Sequence, residues 1–71
     1  MSLTTIRLWQ MAATDKAYRF SKTPPERPPD PVWIPRSVIE RVLRRPPKEP
    51  GAWPECEVTM QEWTAEKFGA I

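Results

Sequence analysis

Seventy-one residues make one domain at most, and a chain this short buries only about 60% of its unfolded surface, so its stability is marginal. The single cysteine, Cys56, excludes an intrachain disulfide, and the absence of histidine excludes every Cys/His zinc pattern. The net charge of +2 hides an asymmetry: residues 1–48 hold ten of the eleven basic residues against four acids, and residues 49–71 hold one against five. The halves carry +6 and −4, which suits either an anionic partner or attraction of the two halves across the fold.

Residues 4–12 alternate, with Ile6 and Leu8 to one side and Trp9 and Met11 to the other, and predict a strand. Residues 13–16 form a turn that Asp15 can close through its own backbone. Residues 17–21 alternate again, Tyr18 and Phe20 opposite Arg19, so the two segments predict a hairpin. Residues 23–31 hold five of the ten prolines and predict a stiff, polyproline-like loop. Residues 32–34 are a short strand stopped by Pro35.

Ser37-Val38-Ile39-Glu40 reads as a helix capping box, and Val38, Ile39, Val42 and Leu43 as one helical stripe ended by Pro46-Pro47. A strand beginning at Ser37 is the competing reading. Residues 46–54 form a second proline-rich loop, residues 56–58 a strand, and Thr59-Met60-Gln61-Glu62 a second capping box that starts a helix running to Phe68 with Gly69 behind it. The fold expected is α+β: a small, mostly antiparallel sheet of three or four strands with one or two short helices, in one domain over residues 1–71. Hydrophobic packing, dimerisation and four tryptophans (Trp9, Trp33, Trp53, Trp63) are left to hold it, and three or four indoles are expected in the core. Trp33 and Trp63 are the expected anchors, which makes Trp63→Ala an unfolding change.

The inventory for catalysis is thin. Without histidine the usual base near neutral pH is missing, and Cys56 lies between Glu55 and Glu57, whose charges raise a thiol's pKa. Cys56 therefore reads as a small buried hydrophobe. Two glycines make no phosphate-cradling loop. No enzyme activity, cofactor or metal is expected. Two binding signals remain. Arg36, Arg41, Arg44, Arg45 and Lys48 form a basic cluster able to clamp phosphate or carboxylate, or else a solvated helix end. Pro25/Pro28 and Pro28/Pro31 give two P-x-x-P spacings, suited to a polyproline groove or simply to a rigid connection. No apolar run approaches the roughly 20 residues that span a bilayer, so no membrane association is expected. A lone cysteine and no signal peptide point to the cytoplasm.

Three stretches resemble a group of small proteins of phages and integrated mobile elements: Ala13-Thr14-Asp15-Lys16-Ala17, the run from Val32 through Trp33-Ile34-Pro35-Arg36-Ser37 to Ile39, and Glu62-Trp63-Thr64-Ala65-Glu66-Lys67-Phe68-Gly69. That group shows an A-T-x-K-A turn, a W-I-P-K-S-Q-I strand and a W-L-A-x-K-K-G-L tail. This chain departs from it in its two proline-rich loops, in Val38 where glutamine is usual, and in its Phe68-Gly69-Ala70-Ile71 ending. The resemblance implies a small β-rich fold without enzyme activity. Short phage proteins often block host immunity by contact with a nuclease or surveillance complex, as anti-CRISPR proteins do. By that association, the function expected is inhibition of a host-defence complex through protein contact. A small nucleic-acid-binding regulator using Arg36–Arg45, binding weakly and without sequence preference, is the alternative, and an assembly component of the element a third.

Overall fold

The computed structural model describes residues 2–47 and 49–71. Five strands form one antiparallel sheet: β1 (Leu3–Ala13), β2 (Ala17–Ser21), β3 (Pro31–Pro35), β4 (Ile39–Arg44) and β5 (Glu55–Gln61), in the order β3-β2-β1-β5-β4. A 3₁₀ turn (Arg36–Val38) joins β3 to β4, and one helix, α1 (Glu62–Lys67), follows β5. The fold is α+β, with five strands where three or four were expected.

The sheet cannot be flat. The lower part of β1, Leu3 to Trp9, pairs with β5, and its upper part, Trp9 to Ala13, pairs with β2; Trp9 alone is paired on both sides. A register shift between Gln10 and Ala12 bends the strand there. Through this pairing Pro35 lies level with the upper end of β1, while Ile39 lies level with Thr4. On a flat sheet, four strand spacings of about 4.8 Å and some nine residues of rise would separate them by more than ~30 Å. The link from Pro35 to Ile39 reaches at most about 14 Å. The sheet therefore folds over on itself, β1 serving both halves as a corner strand does in orthogonal packing.

The enclosed side is the core. Leu8, Phe20, Ile34, Val58 and Met60 are fully buried with Cys56, and Ala65 and Ala70 close one end. In β1, β2 and β5 they follow the two-residue period of the strand, so Tyr18 and Phe20 face inward as alternation predicts, their rings stacked 5.3 Å apart. The β1–β2 turn is closed by Thr14 rather than Asp15: the Thr14 N–H donates to the Ala17 carbonyl at 2.8 Å, and its hydroxyl accepts from the Ala17 N–H at 3.1 Å.

The expected helix from Ser37 is a 3₁₀ turn and a strand. The reason lies in a second register shift, between Ile39 and Arg41. Ile39 pairs with Met60 and Val42 with Val58, so the extra residue at Glu40 brings Ile39 and Val42, three apart, onto one face of a strand. That spacing imitates a helical stripe. Valine and isoleucine also favour strands, and two helical turns are marginal alone, so the β5 ladder prevails.

The second capping box fails similarly. Thr59 lies inside β5, and its hydroxyl bonds to that of Thr5 across the sheet at 2.9 Å. The helix starts at Glu62 with Gln61 before it and no side-chain cap. Its end matches expectation. Gly69, at φ +75°, donates to the Glu66 carbonyl, and the Ala70 N–H to that of Ala65 at 2.8 Å, the paired bonds of a glycine-terminated helix.

The tryptophans are where sequence reading errs most. Trp33 is 51% exposed and Trp63 53% exposed, while Trp9 and Trp53 are half-buried and outside the core cluster. Three of the four have an aliphatic or small neighbour that takes the inside instead: Leu8 beside Trp9, Ile34 beside Trp33, Thr64 and Ala65 beside Trp63. The folded-over sheet is too tight for indoles and is filled by one phenylalanine and smaller side chains. Among the described residues no helix is long and apolar enough to cross a membrane.

Trp63→Ala is accordingly expected to keep a cooperative urea transition, losing at most about 1 kcal/mol as an exposed position does. Phe20→Ala removes a fully buried ring and should cost about 3–5 kcal/mol, enough to leave little folded protein at 25 °C.

Candidate partner-contact site

The arginines picked out by sequence do not form one patch. Arg36 is tied to the β1–β2 turn: its Nε donates to the Thr14 carbonyl at 2.8 Å, and its guanidinium lies 4.4 Å above the Tyr18 ring. Its backbone N–H donates to the Lys16 carbonyl. Arg44 shares the inward row of β4, opposite Cys56, and its Nε and Nη2 both donate to the Gln10 side-chain oxygen, at 2.8 and 2.6 Å. Arg45 bonds Glu57 at 3.1 Å. Arg41 points outward opposite Thr59 and has no hydrogen bond or ion pair from its side chain among the described residues. Lys48 lies outside the described residues. Three of the four described arginines are thus oriented by contacts within the chain, Arg36 and Arg45 through one N–H each and Arg44 through two, and point in different directions.

Charge also organises the outer face. Opposite one another on β1 and β5 stand Trp9 and Glu55, Arg7 and Glu57, and Thr5 and Thr59. The ion pair Arg7–Glu55 runs diagonally at 3.0 Å, and Arg45 reaches Glu57 from beyond β4. The acidic C-terminal half and the basic N-terminal half do meet across the fold here.

The two proline-rich loops, far apart in sequence, come together over this outer face. They form the walls of a groove of about 820 Å³ with Trp9 and Glu55 at its floor and Trp53 in one wall. That volume lies within the roughly 300–1,000 Å³ of ligand sites. The pairing explains the meeting. Trp9 stands across from Ser21 on one side, where the first loop begins, and from Glu55 on the other, where the second ends. Ser21 is fully buried beneath its loop, its hydroxyl bonded to the Thr23 carbonyl at 2.9 Å and accepting from the Asp30 N–H at 3.3 Å. The Thr23 hydroxyl donates to the Pro28 carbonyl at 2.7 Å. Across the groove the Gln10 N–H donates to the Pro54 carbonyl at 3.0 Å, and Gly51, at φ +84°, makes the turn that an Ala52–Glu49 hydrogen bond closes. The residues missed as a site are therefore Trp9 and Trp53. The signal for them was that Trp9 falls opposite Leu8, away from the core, and that Trp53 sits among prolines.

Outside the groove, Trp33 on the edge strand faces Arg19 of β2, whose guanidinium is 5.9 Å from the indole centroid. The Arg19 Nε is shielded from solvent with no hydrogen-bond partner. Cys56 is buried with its Sγ 3.7 Å from the Pro54 carbonyl. Burial pushes its thiol above the ordinary value; the Arg44 guanidinium pulls against this, and Glu55 adds to it. No group of three or more acidic, cysteine or histidine residues placed to hold a metal occurs among the described residues. No protein family, curated protein or solved structure gives a significant match to this chain.

The thiol's raised pKa sets an alkaline dependence. Below the unfolded-state value, about 8.5, both states hold the proton and the contribution to stability is whole. As pH rises from there toward the folded-state pKa, only the unfolded thiol ionises, so stability falls. Urea midpoints measured from pH 7 to pH 10 should decline less for Cys56→Ala than for the wild type, although the variant starts lower.

Proposed function

We propose that this protein acts by contact, as a phage- or mobile-element-encoded binding protein that inhibits a host-defence complex in the cytoplasm of the host, and that it is not an enzyme. One observation supports contact above all: all four tryptophans of a 71-residue chain stand outside its core. Exposed indoles carry large apolar area at low conformational cost, and tryptophan is enriched among the few residues that dominate protein–protein binding energy. A marginal domain gains nothing in stability from leaving Trp33 and Trp63 in water. Their positions therefore make sense when a partner covers them. The source and the defence target rest on the resemblance in the turn, the Trp33 strand and the Trp63 helix.

The nucleic-acid reading draws on one feature, the exposed Trp33 beside Arg19, since an indole next to a guanidinium can stack a base. Against it, Arg36, Arg44 and Arg45 are held by Thr14, Gln10 and Glu57. A protein partner is the better match.

The deciding experiment is capture of partners from a host lysate by tagged wild type, Trp33→Ala and Trp63→Ala. Wild type should retain a defence nuclease or surveillance complex, and at least one variant should lose about tenfold or more of it while melting like wild type, as hot-spot truncations do. Binding of duplex or single-stranded DNA below micromolar at physiological salt would replace this reading with that of a nucleic-acid regulator.

A further inference from the structure

We propose that the groove between the two proline-rich loops docks an extended segment of the partner protein in which arginine or lysine alternates with proline. This deepens the contact reading above and rests on it.

The first argument is shape and rigidity. Five prolines line the walls, and each fixes its own φ, so the groove is set before anything enters it. Bonds of Ser21 and Gln10 tie the loops to the sheet, and the Thr23–Pro28 and Ala52–Glu49 bonds brace each loop internally. A preformed site avoids the ordering cost that weakens binding by mobile loops. An entering segment that is already extended avoids the same cost on its side, and polyproline conformation supplies that. Aromatic-lined grooves take such segments by packing proline rings against indole faces. Trp9 and Trp53 provide those faces here.

The second argument is charge. Three carboxylates (Glu26, Glu49, Glu55) and one guanidinium (Arg45) border the groove. Arg45 is engaged with Glu57, and Glu55 with Arg7. Glu26 and Glu49, on opposite walls, form no ion pair among the described residues. In a chain of net charge +2 this is a local excess of negative charge. Among the described residues, the free carboxylates of Glu26 and Glu49 favour a cationic side chain between the walls over a phosphate. The indole faces add to that attraction. Proline for the rings and arginine or lysine for the carboxylates together define the segment.

The test is fluorescence anisotropy of a labelled nonapeptide, Pro-Pro-Arg repeated three times, titrated with the full chain. Two matched peptides carry Glu for Arg or Ala for Pro. The arginine peptide should bind saturably and about tenfold or more tighter than the glutamate peptide, and its affinity should fall as salt rises. Trp53→Ala should weaken it about tenfold. Because Trp53 is half-buried, the exposed double variant Glu26→Gln/Glu49→Gln carries the charge argument independently, with an expected loss of about three- to tenfold at low salt. Absence of saturation by about 1 mM of the titrated chain would overturn the proposal. So would equal binding of the glutamate peptide, indifference of the double variant, or sedimentation showing that the groove is filled by a second copy of the chain. The two readings fail separately: absence of peptide binding overturns the groove whatever the lysate yields, whereas an empty lysate capture overturns the contact function.

Discussion

At Trp9 the long strand β1 exchanges one partner for another, and the rest of the molecule is arranged by that exchange. The strand has eleven residues, but β5 occupies the flank of its lower part and β2 that of its upper part, with Trp9 common to both. Only a sharply bent strand lets both halves enclose one core, and the register shift just beyond Trp9 supplies the bend. Folding over brings Pro35 close enough to Ile39 for a three-residue 3₁₀ turn to join opposite edges of the sheet. It also leaves the convex side at the bend uncovered by any strand. Both proline-rich loops arise next to that convex side, so their meeting over Trp9 follows from the pairing rather than from attraction between them.

The elements legible in the sequence are those whose side chains keep strict alternation. β1, β2 and β3 are read within a residue or two because Ile6/Leu8, Tyr18/Phe20 and Val32/Ile34 repeat every second position on their inward faces. β4 escapes because a bulge at Glu40 breaks the period where only six residues are available to show it. The two Ser/Thr-x-x-Glu segments read as capping boxes cap nothing: Ser37 leads into a bulged strand, and Thr59 lies inside β5 with its hydroxyl bonded across the sheet. The contact groove could not be read at all. It needs two segments some twenty residues apart to converge, and convergence depends on sheet order, which local sequence does not encode.

Size misled the reading of the tryptophans. An indole is the largest apolar side chain, and a small chain without disulfide or metal needs apolar burial, so placing indoles inside is reasonable on area alone. Volume decides otherwise. A sheet folded over within an 11.5 Å radius of gyration holds one ring pair, Tyr18 and Phe20, with aliphatic residues around it. An indole in place of Ile34 or Leu8 would have to enter a space now filled by fully buried, smaller side chains. The same misreading shifted the arginines. Placed on a helix they would share one solvated end; alternating on a strand they diverge, one inward to Gln10, another outward to Glu57, while Arg36 braces the turn at Thr14.

The unpaired edges narrow how a partner can be met. β3 is bounded by Pro31 and Pro35, neither of which can donate a ladder hydrogen bond, so an incoming strand finds donors missing at both ends. β4 carries Glu40, Arg41 and Arg44 and a bulge, the features that discourage edge-to-edge pairing. Addition of a partner strand is therefore disfavoured at each side of the sheet. The contact proposed here would then use side chains on faces and loops, where the four indoles are large apolar groups outside the core. Two of these line a proline-walled groove with acidic rims and two stand in open solvent. On the proposed reading, a surface divided in this way would separate recognition of a short charged segment from adhesion to a broader face, and each could be weakened by substitution without disturbing Leu8, Phe20, Ile34 or the strands that hold them.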